Sequence, residues 1–185
     1  MIWFTSDLHF FHRAVIDYAK RPFKDVDEMN EGLITKWNER VQPGDSVYVV
    51  GDFSFGNFKK TAEVYERLQG QKFLVRGNHD RDEKIQKLFA WSKDLYTVKV
   101  PLEGDNVQRI VLCHYPLVVW DRSHHGAWML HGHSHGTLPD DPNALRLDIG
   151  VDCWNMAPVS FPEIQARMAQ KNYKPVDHHG ETGRD

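Results

Sequence analysis

Val75-Arg76-Gly77-Asn78-His79-Asp80 is the stretch that decides the fold of this chain. An apolar run over residues 73–75 ends there, and after the glycine come three side chains that can bind a metal ion or carry a proton. A buried strand presents polar side chains at low cost only where it leaves its sheet. The stretch therefore predicts a strand whose carboxyl end belongs to a functional site.

Four more apolar segments end in potential ligands. They are residues 3–6 before Asp7-Leu8-His9, 47–50 before Gly51-Asp52, 110–113 before His114, and 128–131 before Gly132-His133-Ser134-His135. Strand ends from distant parts of a chain can meet at one edge of a layered fold. A glycine before a ligand also lets the backbone approach an ion or anion without a Cβ in the way. The five segments together predict one composite site.

The donors at these strand ends indicate the kind of metal. Seven side chains are candidate ligands: Asp7, His9, Asp52, Asn78, His114, His133 and His135. A mixture of carboxylate, amide and imidazole donors suits Mn, Fe, Zn or Ni better than Ca or Mg. Seven donors exceed one tetrahedral site, but with one bridging carboxylate they suffice for two ions that also bind water. We therefore expect two divalent metal ions, with Mn²⁺ favoured and Fe, Zn or Ni as alternatives.

The sequence also predicts part of the geometry of three of these candidate ligands. Asp7 and His9 are two positions apart, so their side chains share one side of the backbone if it is extended. Asp52 is expected to bridge, because one carboxylate can be shared by two cations about 3.5–4 Å apart and an imidazole nitrogen cannot. An isolated Gly-Asp would more simply be a turn or a helix cap, and the other blocks favour the ligand interpretation.

In their order, the five blocks resemble the signature of the calcineurin-like metallophosphoesterases, and they span residues 7–135 with no block missing. The resemblance implies a small phosphoesterase of the bacterial or phage type. It implies an α/β (α+β) fold, a four-layer α/β/β/α sandwich of two mixed sheets flanked by helices. It also assigns Asp7, His9 and His135 to a first metal ion, and Asn78 and His133 to a second.

The resemblance leaves His79 outside the ligand set, so its imidazole is available to carry a proton. Histidine titrates near neutral pH, which makes His79 the expected general acid for a departing oxygen, and Asp80 is expected to orient it. Two divalent cations less the carboxylates of Asp7 and Asp52 leave a charge of about +2, which attracts a phosphate ester. Attack by a metal-bridging hydroxide is the expected mechanism.

Several cationic side chains are candidates for substrate contacts. His12 and Arg13 follow the first block and can reach a phosphate, although a solvated first helical turn explains them equally well. Arg76 and Arg81 flank the central stretch and can clamp phosphate oxygens, although a surface position is the commoner fate of each. Four more residues have no assigned role: His124, His125, Asp148 and Asp152.

Length and composition fit one soluble globular domain, with 185 residues, 41% hydrophobic and 26% charged. We expect the domain to cover residues 1–175 and the polar tail 176–185 to be disordered.

No apolar run approaches the roughly 20 residues that cross a bilayer, and a basic leader is missing, so a cytoplasmic protein without membrane contact is expected. The two cysteines, Cys113 and Cys153, are too few for a disulfide framework, and a small core residue is the favoured interpretation of Cys113.

Within the enzyme class, phosphodiesters are the favoured substrates, and no obligate protein partner is expected. The alternatives are a phosphomonoesterase or nucleotidase acting on small metabolites, and a non-catalytic binding scaffold on the same fold. Protein phosphatase activity is disfavoured, because Gly51-Asp52-Phe53 lacks the Asp-Arg-Gly continuation of those enzymes and Asp80 replaces their glutamate. The net charge of -3 argues against binding long nucleic acid, but a nucleotide or a short nucleic acid is compatible with it.

Overall fold

The structure, a computed structural model, describes residues 1–176. Its strands are β1 (Ile2–Thr5), β2 (Ser46–Val50), β3 (Gln71–Val75), β4 (Ser92–Lys93), β5 (Leu95–Pro101), β6 (Val107–Cys113), β7 (Trp128–His131), β8 (Arg146–Asp148) and β9 (Val159–Ser160). Its helices are α1 (Arg13–Tyr18), α2 (Val26–Asn38), α3 (Phe58–Arg67), α4 (Glu83–Gln86) and α5 (Phe161–Met168), with 3₁₀ turns at Ser123–His125 and Val151–Cys153.

The first sheet has the strand order β4-β3-β2-β1-β9. Strands β1 to β4 run parallel, and β9 joins β1 in the antiparallel sense. Thr5 pairs with Val49, and Val50 pairs with Val75, so β1, β2 and β3 end at the same edge. The loops that carry the first three ligand blocks therefore leave the sheet side by side.

The second sheet has the order β5-β6-β7-β8. Strands β5 and β6 form an antiparallel hairpin, whereas β6, β7 and β8 run parallel. Leu112 pairs with Leu130, so the chain leaves β6 towards His114 beside the point where it leaves β7 towards Gly132. Two mixed sheets with flanking helices confirm the predicted α/β fold.

Alternating side chains of the strands divide the interior into two apolar clusters. In β2, Val47 and Val49 pack with Trp37 of α2 in the cluster between the first sheet and helices α1 to α3. Val50 belongs instead to the cluster between the two sheets, which also contains Ile164 of α5. A strand with both faces covered is held firmly, because a slip of one residue would exchange its two sets of buried side chains.

The region after β3 is less helical than its apolar spacing suggests. Ile85 and Phe89 are buried as that spacing requires, but α4 ends after one turn. The chain then extends so that Ser92 pairs with Leu74 at the edge of the first sheet. Pairing of the backbone with the open edge of β3 therefore replaces the later turns of a longer helix.

No helix within residues 1–176 has the length and apolar character needed to cross a membrane. Residues 177–185, and with them most of the predicted tail, lie outside the described residues. The division into a domain of residues 1–175 and a disordered tail stays a prediction.

Candidate metal centre

The seven candidate ligands come together where the two sheets end. We divide them into a first ligand group, Asp7, His9 and His135, and a second ligand group, Asn78, His114 and His133. Asp52 lies between the groups. Its Oδ2 atom is 3.5 Å from Nε2 of His9 and 3.6 Å from Nε2 of His114. One carboxylate oxygen therefore faces an imidazole of each group.

The first ligand group is tightly spaced, with Asp7 and His9 buried and His135 half-buried. Nε2 of His9 and Nε2 of His135 lie 3.8 and 3.9 Å from Oδ1 of Asp7. Donor atoms that share an ion at about 2.1 Å are about 3–4 Å apart. Nε2 of His9 is buried and has no hydrogen-bond partner among the described residues. A buried nitrogen in that position fits a metal ligand, because an unsatisfied polar atom is costly.

The second ligand group is spaced similarly but is more open. Nε2 of His114 lies 3.2 Å from Oδ1 of Asn78. The ring of His133 has its centre 5.2 Å from that of His114, and the His133 side chain is exposed. Two sets of donors, Asp7 with His9 and His135 and Asp7 with Asp52 and His114, are each compact enough for one ion. These donors fit divalent metal binding, with Asp7 common to both sets.

The ligand loops do not have the extended backbone expected around Asp7 and His9. Five of the seven candidates have left-handed φ angles: Asp7 55°, His9 53°, Asp52 54°, His133 68° and His135 48°. Such a conformation costs about 1–3 kcal/mol for a residue other than glycine and persists only where the surroundings impose it. Here the loops impose it on each other, because the amides of Asp7 and His9 donate to the carbonyls of Gly51 and Asp52 at 3.0 Å.

Two glycines make room for the ligand side chains themselves. A Cβ on Gly77 would come within 2.2 Å of Oδ1 of Asp52, and one on Gly132 within 2.3 Å of Oδ2 of Asp7. The requirement for glycine before a ligand therefore comes from a neighbouring carboxylate as much as from an ion.

Asp80 holds the loop of the central carboxylate. Its carboxylate accepts hydrogen bonds from the backbone amides of Asp52, Phe53 and Gly77 at 2.7, 3.0 and 2.8 Å. Burial raises the pKa of the Asp80 carboxyl against these three donors, and the charge of Asp52 adds to the rise. These contacts hold the loop that carries Asp52, and the expected orientation of His79 by Asp80 stays a prediction.

His79 lies beside the ligands without being buried among them. Its amide donates to Oδ1 of Asp52 at 3.0 Å, and its Nε2 atom is 4.0 Å from Oδ2 of the same carboxylate. The side chain is 43% exposed, so a substrate can reach the imidazole. Its ring centre lies 4.5 Å from that of Phe55, whose other neighbours include His12 at 3.8 Å.

The protonation states of His9 and Asp7 suit metal binding, which requires deprotonated donors. Burial lowers the pKa of the His9 imidazole and outweighs the nearby carboxylates, so its ring is neutral. Burial works in the opposite direction on Asp7, but contacts with His9, His114 and His135 outweigh it and lower the pKa of that carboxyl. A neutral imidazole and a charged carboxylate are the forms that bind a cation.

Comparison with known proteins decides the family. The family model described as calcineurin-like phosphoesterase matches residues 1–154, which include every candidate ligand. The chain belongs to the calcineurin-like phosphoesterase family. Membership makes it a metal-dependent phosphoesterase whose substrate is a phosphate ester, and it agrees with the predicted resemblance.

Relatives of this phosphoesterase occur in an archaeon and in phages. The chain is 32% identical over 170 residues to an uncharacterized protein of Methanocaldococcus jannaschii, covering 88% of each chain. It is 29% identical over 180 residues to the gene 66 protein of Mycobacterium phage D29, covering 83% of this chain and 89% of that protein. A crystal structure of an Aquifex aeolicus protein of unknown function has the same fold, with a TM-score of 0.68 and 24% identity over 90% of this chain and 98% of that one.

Sequence reasoning missed a buried ion pair that supports the first ligand group of this phosphoesterase. Arg21 forms two hydrogen bonds with Asp152, at 2.8 and 2.9 Å, and also donates to the backbone carbonyls of Asp7 and Leu8. Asp152 in turn is 2.7 Å from Nδ1 of His135. Because Asp152 accepts the Nδ1 proton, Nε2 of His135 is left to face Asp7.

The same contacts change how these groups titrate. Burial alone would lower the pKa of the His135 imidazole, but the hydrogen bond to Asp152 and the charge of Asp7 outweigh it and the pKa is raised. Burial alone would raise the pKa of Asp152, but His135 and Arg21 outweigh it and the pKa is lowered. In the second ligand group, Nδ1 of His114 faces the carbonyl of Val50 at 2.9 Å, which fixes that ring as well.

The candidate substrate contacts are dispersed. Arg13 forms an exposed ion pair with Asp17 at 2.9 Å, and Arg76 pairs with Asp94 at 2.6 Å. Arg81 donates from Nε to the backbone carbonyl of Asn78 at 3.0 Å. The assignment of these arginines and of His12 to substrate binding stays a prediction.

Two acids and two histidines were left without a role by the sequence. Asp148 accepts from the amides of Gly136 and Gly150, so it holds the turn after His135. His124 and His125 lie in a 3₁₀ turn and their ring centres are 4.1 Å apart.

Proposed function

We propose that this protein hydrolyses phosphodiesters with two divalent metal ions, of which Mn²⁺ is the favoured identity. The six residues of the two ligand groups, together with Asp52, hold the ions. His79 is the general acid. The observation that carries the proposal is the position of Asp52, whose Oδ2 atom lies 3.5 and 3.6 Å from one imidazole of each group. A carboxylate placed in this way can join two ions.

The residues of the chain divide the chemistry between them. When bound, the cations polarise the phosphate, lower the pKa of water and offset the charge that develops in the transition state. Asp7 and Asp52 supply the negative charge that retains the cations, and Asp80 fixes Asp52 through the backbone. His79, exposed and 4.0 Å from Asp52, donates a proton to the oxygen that leaves phosphorus and is neutral afterwards.

A diester is favoured over a monoester because there is space beside the ligands for a second substituent. A cleft of about 1110 Å³ begins at Asn78 and extends past Arg81 to Tyr115. A monoester needs room only for its phosphate and one leaving group. The cleft supports a substrate in which phosphorus carries a further ester group.

The experiment measures hydrolysis of bis(p-nitrophenyl) phosphate and p-nitrophenyl phosphate by protein that has been stripped with a chelator and reloaded with Mn²⁺. Turnover is expected to vanish on stripping, to return at two ions per chain, and to give a higher kcat/KM for the diester. Full turnover without metal would overturn the proposal as a whole. A higher kcat/KM for the monoester would overturn the diester preference.

Substitution of His79 tests the acid. His79→Ala is expected to keep both ions but to lower kcat by about 10²–10⁴-fold for diesters with alkyl leaving groups, which need a proton. The loss for activated aryl diesters is expected to be much smaller, because p-nitrophenolate leaves without one. An equal loss for both leaving groups would remove His79 from this role.

A further inference from the structure

The cleft beside Asn78, which we call the Asn78 cleft, has a lining that points to the nature of the diester. It lies between α4 and the neighbouring ends of the two sheets, and its volume of about 1110 Å³ slightly exceeds the roughly 300–1,000 Å³ of drug-sized ligand sites. An inference about its occupant rests on the proposed function, because the cleft begins at a candidate ligand of the metal centre.

The lining combines apolar side chains, aromatic rings among them, with three cations and with the carboxylates of Asp80, Glu83 and Asp94. Trp91, Leu95 and Tyr115 contribute the apolar part, and Leu95 and Tyr115 are 48% and 45% exposed. Arg81 and Lys87 contribute exposed cations. Exposed aromatic surface together with cations is the combination that binds single-stranded nucleic acid, because bases stack on the rings and phosphates meet the positive charges.

Tyr115 connects the cleft with the metal centre. Its ring centre lies 4.9 Å from that of His133 and 5.3 Å from that of His114, in edge-on arrangements. A ring held in this way still presents surface to the cleft, as its exposure shows. A base stacked on Tyr115 would therefore lie next to a phosphate bound at the metal centre.

Arg81 also connects the two. Its Nε atom donates to the backbone carbonyl of Asn78 at 3.0 Å, which holds the guanidinium next to the second ligand group. Arg76 contributes less positive charge to the cleft, because Asp94 neutralises it at 2.6 Å. Few cations therefore remain to bind a ligand. This number fits a short nucleic acid and excludes binding through many phosphates.

We propose that the Asn78 cleft binds the nucleotide adjoining the scissile phosphodiester of a short single-stranded nucleic acid, with its base stacked on Tyr115. Tyr115 is then a specificity-determining residue: it selects the group on one side of phosphorus and takes no part in breaking the bond to the leaving oxygen. A small alkyl diester has no ring to stack on an aromatic surface at this position.

The test uses two tyrosines in comparable settings. Tyr115 and Tyr18 are both exposed and each lies edge-on to a candidate ligand, Tyr18 at 5.4 Å from His135 on the side of the first ligand group. Tyr18 is outside the lining of the Asn78 cleft. Tyr115→Ala and Tyr18→Ala therefore remove the same side chain at two places, one inside the cleft and one outside.

Binding of a fluorescein-labelled tetrathymidylate to Mn²⁺-loaded protein carrying His79→Ala is measured by anisotropy. Tyr115→Ala in that background is expected to raise Kd by roughly 5- to 150-fold, the range for loss of one base–aromatic stack. Tyr115→Trp is expected to restore binding, and Tyr18→Ala is expected to leave Kd within about twofold. Equal effects of the two alanine variants, or none from either, would overturn the inference.

Turnover separates failure of this inference from failure of the proposed function. Methyl p-nitrophenyl phosphate is a diester whose methyl group leaves the cleft empty. Tyr115→Ala with the native His79 is expected to lower kcat/KM for the tetranucleotide by a much larger factor than kcat/KM for the methyl diester, and to raise KM for the tetranucleotide. If the wild-type protein hydrolyses the methyl diester but neither binds nor cleaves the tetranucleotide, the inference fails and the proposed function stands. If it cleaves no diester, the proposed function fails, and the anisotropy result decides whether the cleft binds single strands.

A lysine pair gives a second, independent check. Lys87 lies in the lining of the cleft, whereas Lys99 is an exposed lysine of β5 outside it. Lys87→Ala is expected to weaken tetrathymidylate binding and to reduce its dependence on salt concentration, and Lys99→Ala is expected to do neither. Identical salt dependence in the two variants would contradict a phosphate contact at Lys87.

Discussion

The first and second ligand groups share Asp52 but differ in what surrounds them. His9 of the first group is 2% exposed, and the ring of His135 is fixed by Asp152, which Arg21 holds through two hydrogen bonds. The second group has one comparable support, the contact of His114 with a backbone carbonyl, and His133 is exposed beside the cleft. One group is therefore prepared before an ion arrives, and the other faces the substrate.

For the proposed pair of ions, this difference implies separate duties. Ligands that are held rigidly in advance lose little conformational freedom on binding, so the first group should retain its ion more strongly. Ligands that border an open cleft exchange water and substrate more readily. Four substitutions test the comparison, and they follow from the largest expected effect on turnover to the smallest.

Substitution of the shared carboxylate should abolish the difference between the groups. Asp52→Asn is expected to weaken both ions and to lower kcat/KM on the order of 10³-fold, because the bridging charge is lost. Elemental analysis after gel filtration measures the ions, and the exposed Asp17→Asn is the control for removal of an acid. Retention of one ion at wild-type affinity would show that Asp52 serves a single group.

Loss of the exposed imidazole should affect only the second group. His133→Ala is expected to reduce the bound metal from two ions to one and to lower turnover by about 10²-fold, since the first group remains intact. Titration calorimetry with Mn²⁺ on stripped protein counts the sites. The exposed His125→Ala is a control that should still bind two ions, and loss of both ions from His133→Ala would contradict the division into groups.

Removal of the buried support should affect only the first group. Asp152→Asn is expected to reduce the affinity of one ion by about 10–100-fold, the usual effect of losing a partner of a ligating histidine. It also leaves the Arg21 guanidinium buried without its carboxylate, which should lower the free energy of unfolding by about 3–5 kcal/mol.

The matched control for that prediction is an exposed pair with the same number of hydrogen bonds. Arg67 forms two hydrogen bonds with Glu31 at 2.7 and 2.6 Å on the protein surface. Glu31→Gln should cost no more than about 1 kcal/mol and leave both ions in place. Similar losses of stability in Asp152→Asn and Glu31→Gln would mean that burial of the Arg21 pair contributes nothing.

A buried cation outside both groups provides the baseline. Lys72 of β3 donates to the carbonyls of Leu68 and Gly70, and burial lowers its pKa to about 8. Between pH 8 and the unfolded value of about 10.4, the unfolded chain holds a proton that the folded chain has released, so stability rises with pH. Lys72→Met should remove this rise, at most about 3 kcal/mol, without changing metal content or turnover.

Chemical denaturation at pH 8 and pH 10 checks the last prediction. The exposed Lys99→Met should follow the wild-type pH dependence, because its side chain remains in water. A Lys72→Met protein with the wild-type slope would show that this ammonium group keeps an ordinary pKa in the fold.

The architecture and the convergence of the candidate ligands could be predicted because their signals are local, while the role of these residues as ligands stays a prediction. Gly51-Asp52 and Gly77-Asn78 each follow a short apolar run, and the pairing of Val50 with Val75 places both turns at one edge, as the pattern requires. The register of parallel strands does the rest. A site assembled from strand ends is thus readable from the order and spacing of its blocks.

Other features left no local pattern. Arg21 and Asp152 are 131 positions apart, so the local sequence around either residue does not indicate that they pair. A left-handed backbone at His9 or His135 depends on hydrogen bonds between loops and cannot be inferred from the residue type. The ion pair of Arg13 with Asp17 is local, by contrast, because Asp17 lies four positions later on the same helix face.

The left-handed backbone of the ligand loops determines which substitutions would stabilise this protein. Glycine and asparagine adopt that conformation at less cost than histidine or aspartate, so replacement of His9 or His135 by either would relieve the peptide chain while deleting a donor. Selection for thermal stability alone would favour such substitutions and would yield a more stable protein without catalytic activity. Histidine at these two positions therefore costs backbone stability and in return supplies a donor for a metal ion.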